Sequence, residues 1–185
     1  MSEARKLFYI FKQKQVERFT KVSNRQECVA EHIFGCLILS EYFLKKESFK
    51  NINKQRVFEI FLFHDLVENE TGDISTYEKT EDDEKKEMGF TDIVSNKIPE
   101  SIKPLFQSTN QEYEDQSTLE ARFCKAIDGL EPNIQLVDQR EWVLSKGITR
   151  EKTDNIKLKC IQEFPDILAM YNETNNIIFG KDDLS

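Results

Sequence analysis

An all-α fold follows from three features of the chain. Glycine and proline are scarce, at 6 and 4 of 185 residues. Apolar residues recur at i, i+3 and i+4 rather than at alternate positions, which is the signature of helices with one buried face. Hydrophobic residues make up 38% and charged residues 32% of the chain, a balance that suits a solvated globular domain and not a disordered one. At this length one core suffices. We therefore expect a single domain over residues 1–179, with its core within 18–146, and a flexible tail at 180–185.

The elements follow in order. Residues 3–16 read as a first helix. A polar connection holding Arg18, Phe19 and Arg25 leads into a helix over 27–46, with Ser23 or Asn24 as its cap. Residues 53–70 form the next helix, and Gly72 is placed to stop it. The charged stretch STYEKTEDDEKK, residues 75–86, has no apolar face at its start and reads as a loop running into a solvated helix. Residues 87–108 carry helical fragments separated by Pro99 and Pro104. Residues 111–146 form a long helical region containing Pro132, whose ring clashes with the carbonyl of Asp128 four residues back. Either a kink lies beside Asp128 or one helix ends near Gly129 and another begins. A last helix spans 150–178, disturbed near Pro165.

Composition excludes several function classes. A net charge of −8 argues against a nucleic-acid polymer as partner, which needs a basic footprint. A mononucleotide is not excluded, because one phosphate needs only a few local cations. Cys28, Cys36, Cys124 and Cys160 show no CxxC spacing, so free thiols in a reducing cytosol are expected. The apolar run LFYIF is too short for a membrane span or a signal segment. The expectation is a soluble cytoplasmic protein with no membrane partner.

The chemistry concentrates on the two histidines, His32 and His64, and on Asp65 beside the second. On a helix His32 shares a face with Val29, Cys36, Leu39 and Phe43, and His64 shares one with Val57, Ile60, Phe61 and Val67. A single buried histidine is usually a core residue bonded to a carbonyl. Two of them, one with an adjacent aspartate, point instead to a divalent cation, since a buried carboxylate is costly unless paired or metal-bound. In EARFCKAIDGLEP, Asp128 lies at the rim of an apolar arc and offers a further ligand; Asp115 and Asp138 have more polar flanks.

Taken together, ERFTKVSNRQECVAEH, FHDLVENETGDI and EYEDQSTLEARFCKAID resemble the HD-domain metal-dependent phosphohydrolases, and within them the 5′-deoxynucleotidase branch of HD-domain-containing protein 2-like and YfbR-like enzymes. The resemblance runs from about Arg18 to about Asp138. It implies a compact HD-domain helical bundle, often dimeric, with the metal site between three helices and with His32, His64, Asp65 and Asp128 as ligands. It implies Glu68 and Asp73 as catalytic carboxylates, and Arg18, Phe19, Asp73, Ser75 and Thr76 as the substrate site, with Arg25 and Lys79 as secondary phosphate ligands. Bacterial relatives carry tryptophan where this chain has Phe19, which donates no hydrogen bond.

One divalent ion is expected, and mixed nitrogen and oxygen ligation admits Mn, Co, Fe, Zn or Mg. A second Mg at Glu68 and Asp73 is chemically feasible, since oxygen ligands suit it. With no further histidine to give, a dinuclear oxygenase site is not expected. The function implied is hydrolysis of deoxynucleoside 5′-monophosphates by a homodimer. Alternatives are an HD phosphohydrolase for an alarmone or a nucleoside triphosphate, a metal-stabilised binding module without catalysis, and a helical interaction protein with both histidines in its core.

Overall fold

The computed structural model describes residues 1–75, Tyr77 and residues 89–180. Helix α1 (Glu3–Ile10) tightens into a 3-10 turn (Phe11–Lys14). Where a polar connection was expected, the chain forms an antiparallel hairpin, β1 (Glu17–Val22) and β2 (Arg25–Cys28), with Val22 opposite Arg25. Ser23 takes a positive φ of 54° at the turn, which lets two residues reverse the chain. An isolated two-stranded ribbon is marginal in water. Here the amide groups of Gln135 and Gln139 both donate to the Lys21 carbonyl at 2.9 Å and fasten the hairpin to the helical body.

Helix α2 (Val29–Phe43) begins at Cys28, not at Ser23 or Asn24. Glu31 reaches back to accept the Cys28 N–H at 3.0 Å, and Arg25 donates to the same carboxylate at 2.8 Å. Helix α3 (Lys54–Phe63) is capped by Asn53, which accepts from the Arg56 N–H. It stops at Phe63, and His64 is its C-cap. The expected helix over 53–70 is therefore broken. Tight turns, Phe63 O to Leu66 N at 3.0 Å and Asp65 O to Glu68 N at 3.1 Å, lead into α4 (Glu68–Thr71). Gly72, at φ 73°, ends it as anticipated.

A helical segment α5 (residues 89–95) precedes α6 (Lys103–Asp115). Pro104 lies in the first turn of α6. Its missing N–H costs nothing there, so it starts this helix and does not separate two. Helix α7 (Leu119–Gln135) runs unbroken through Pro132, with no end at Gly129. The expected region 111–146 is thus parts of α6, α7 and α8 (Arg140–Ser145). The expected last helix is also two, α9 (Arg150–Ile161) and α10 (Pro165–Phe179), because Pro165 opens the second one.

The main core forms where α2, α3, α9 and α10 pack around α7. Phe43, Val57, Ile60, Phe61, Phe123, Ile127, Leu130, Ile161 and Tyr171 are all 0% exposed, and burying each aliphatic or phenyl side chain contributes roughly 1.5–3 kcal/mol. A second cluster of Tyr9, Phe63, Leu66, Val94, Ile98 and Phe106 holds α1 and α5 against α3 and α6. The two clusters meet along α3, and this fixes the chain break after Phe63.

Candidate metal centre and cleft

Helices α2 and α7, together with the break after α3, bring His32, His64, Asp65 and Asp128 together. His32 Nε2 lies 3.1 Å from Asp128 Oδ1 and 3.7 Å from Asp65 Oδ2. His64 Nε2 lies 3.1 Å from the same Asp65 oxygen, and the imidazole centroids are 5.6 Å apart. A continuous helix would set Asp65 about 100° round from His64. The turn that replaces the helix brings it back to the imidazole nitrogen.

The surroundings decide which way each imidazole points its lone pair. His32 Nδ1–H donates to Glu131 Oε2 at 2.7 Å, and His64 Nδ1–H donates to the Phe61 carbonyl at 3.1 Å. With each imidazole neutral, as a metal ligand must be, both Nε2 atoms are then acceptors, and both face carboxylate oxygens that are also acceptors. His64 Nε2 accordingly has no hydrogen-bond partner although it is buried. Electron pairs converging from two imidazoles and two carboxylates fit a divalent cation, and the partners on the far side of each ligand are those that orient metal-bound histidines. Tyr113 completes the shell by donating its hydroxyl to Asp128 Oδ2 at 2.8 Å. Cys36 Sγ sits 3.5 Å from His32 Nε2. Among the described residues, His32–His64–Asp65, His32–Cys36–Asp128 and Glu27–His32–Glu131 group ligand atoms closely enough for one ion.

Charge is unevenly held in this site. Burial pushes the Asp65 carboxyl up, but His64 and Arg18 outweigh it and keep it well below the usual range. Glu68 goes the other way: burial, with Asp65 and Asp73 nearby, raises it well above an ordinary carboxylate, and its Oε2 is buried without a partner. Burial also raises Asp73, although Arg18 Nη1 lies 3.3 Å from it and the Phe19 N–H donates to it at 3.2 Å. Glu27, 1% exposed, is pushed up to about 7 by burial and by Glu131.

A cleft of about 140 Å3 opens beside Asp128. The expected substrate residues Arg18, Phe19, Asp73 and Ser75 line it, and Thr76 and Lys79 lie outside the described residues. Arg25 is not in the cleft; it pairs with Glu31 on the surface. Phe19 packs against Tyr77 and Trp142, with ring centroids at 6.2 and 5.2 Å. Asp115 and Asp138 are exposed and away from the histidines. Sequence reasoning missed Glu27, Cys36, Tyr113, Lys125, Glu131 and Lys157. Glu131 had a readable signal, since it follows Asp128 by one helical turn on the same face of α7.

Residues 10–167 match the HD domain family model, and the chain belongs to that family. Among individual proteins, it is 26% identical to the 5′-deoxynucleotidase HDDC2 of Xenopus laevis over 83% of this chain and 77% of that one. It is 34% identical to the 5′-deoxynucleotidase hdd1 of Schizosaccharomyces pombe over 62% of this chain and 59% of that one. Among solved structures, a predicted metal-dependent phosphohydrolase from Magnetospirillum magnetotacticum MS-1 superposes with a TM-score of 0.78 at 25% identity, covering 93% of this chain and 90% of that one.

Proposed function

We infer that this chain is a metal-dependent phosphomonoesterase that hydrolyses deoxynucleoside 5′-monophosphates to nucleoside and phosphate. The observation that carries this is the convergence of two Nε2 lone pairs with Asp65 and Asp128 beside a cleft, next to the buried carboxyl of Glu68. The names of the relatives, 5′-deoxynucleotidases, support the substrate class. His32, His64, Asp65 and Asp128 would hold one divalent ion, which supplies an acidified water and neutralises phosphoryl charge when bound.

The chain's own residues do the rest. Glu68, with its raised proton affinity and unpartnered oxygen, is suited to take a proton from water and pass it to the leaving oxygen. Asp73 orients Arg18, and Phe19 and Ser75 form the substrate wall. Arg18 Nη1, 3.4 Å from Asp65 and 3.3 Å from Asp73, already supplies the positive charge that a second cation at Glu68 and Asp73 would bring, so one ion is proposed.

The test is phosphate release across ribo- and deoxynucleoside mono-, di- and triphosphates with each candidate metal. Monophosphates should be the substrates, and release only from triphosphates would overturn the reading. Glu68→Ala should abolish turnover with metal content unchanged; wild-type turnover would remove Glu68 from the chemistry. Cytoplasmic residence is supported by four cysteines without disulfides. No helix among the described residues is long and apolar enough to cross a membrane. A homodimer is proposed on the family resemblance, with the exposed stripe Phe34, Ile38 and Tyr42 on α2 in keeping with it; sedimentation velocity tests it.

A further inference from the structure

Three cationic side chains line the cleft, Arg18, Lys125 and Lys157, and they are not equally free to meet an anion. Arg18 lies 3.3–3.5 Å from each of three carboxylates, Asp73, Asp65 and Glu27. Lys125 lies 3.6 Å from Asp128 Oδ2 and donates to the Tyr113 hydroxyl at 3.1 Å. Lys157 differs from both. It is 7% exposed, and its Nζ donates to a neutral group, Asn133 Oδ1, at 2.8 Å. Among the described residues it makes no ion pair.

A buried ammonium with no carboxylate in ion-pair contact is costly; Asp128 and Glu131 favour its charge only from beyond contact. The cost is kept here by deliberate support from behind. Asn133, 4% exposed, donates its own amide to Asn175 Oδ1 at 2.7 Å, and Asn175 donates to Asp154 at 3.2 Å. This chain of amides across α7, α9 and α10 fixes the oxygen of Asn133 toward Lys157 and leaves the other two ammonium protons unassigned. Burial lowers Lys157 to about 8, so it still carries its proton at neutral pH.

We propose that Lys157 is a phosphate-binding residue of this enzyme, supplying from α9 the uncommitted positive charge that the carboxylate-rich cleft otherwise lacks. It would engage phosphate across the cleft from Arg18, as a point charge with rotatable donors. Arg18, already shared among carboxylates, would act more as an orienting group than as the main anion ligand. The proposal rests on the phosphomonoesterase reading, and the test separates the two.

The experiment titrates inorganic phosphate into the manganese-loaded protein by calorimetry, for the wild type, Lys157→Met and Lys157→Gln. KM and kcat for deoxynucleoside monophosphates are measured alongside. Methionine fills a lysine-shaped slot without a charge to desolvate and glutamine keeps an N–H donor for Asn133, so the variants should fold and carry equal metal, with the methionine variant melting lower for its unpaired Asn133 oxygen. Phosphate should bind about tenfold more weakly or worse, as expected for a lost charged hydrogen bond. KM should rise by the same factor, with a smaller change in kcat. Folded, metal-loaded variants that bind phosphate within twofold of wild type would overturn the assignment, even if nucleotidase activity is present. If the wild type releases phosphate from no monophosphate, the functional reading falls, and the titration alone decides on Lys157: weaker binding in both variants supports it, and equal or no binding overturns it.

Discussion

Gly35 controls how closely α2 and α7 approach at the metal centre. A Cβ at this position would overlap the carboxylate of Glu131, the group that orients His32. Gly35→Ala should therefore push Glu131 off Nδ1 and weaken metal binding by about 10–100-fold, the usual cost of losing such a partner. Calorimetric titration of Mn or Zn checks this, and unchanged affinity would mean that Glu131 does not set the ring orientation. Tyr113→Phe removes the bond to Asp128 and the acceptor of Lys125 and should cost ~1.5–3 kcal/mol of stability, since both partners are charged, read by denaturant unfolding. His32 and His64 were legible because only two histidines exist and both fall on apolar faces. Glu131 could have been read from its place one turn after Asp128; Tyr113 could not, since a phenol on a helix gives no sign of what it faces across the core. Lys157 was invisible for a further reason: its charge matters only once α9 is docked against α7.

At the scale of elements, the helices were readable and their joints were not. Pro104 and Pro165 both looked like interruptions, yet each sits in a first turn, where proline is tolerated. The hairpin escaped notice because its strands are short and polar and its register slips between Glu17 and Lys21. It carries Arg18 and Phe19, so the missed element is also the one that builds a wall of the cleft. It hands over to α2 through Arg25, Cys28 and Glu31. The Arg25 contact and the Cys28 N–H lower Glu31 from 4.5 to about 2. Because the folded value is depressed, this cap contributes fully above pH 4.5 and is lost as pH falls through about 2. The Cys28 amide, followed by NMR, should shift over that window and lose the transition in Glu31→Gln. A transition centred near pH 4.5 in wild type would show that the cap is not formed.

For the whole molecule, a ligand that binds only the folded state stabilises it by mass action. A cation at a thousandfold over its Kd adds ~4 kcal/mol, which corresponds to roughly 8–16 °C in Tm for a domain of this size. Thermal melts with increasing Mn, Co or Zn, reversed by chelator, should trace this shift. No shift with any of them would mean that the four convergent groups do not hold an ion. The break after Phe63 has one more effect. It leaves the negative end of the α3 dipole, about half an elementary charge, at His64 and Asp65, in a basin that Glu68, Asp73 and Asp128 already make anionic. Before the ion arrives, a nucleotide meets these carboxylates with only Arg18, Lys125 and Lys157 to offset them. The ion is therefore expected to load before the nucleotide, and chelation should be felt as weaker capture of nucleotide as well as loss of turnover.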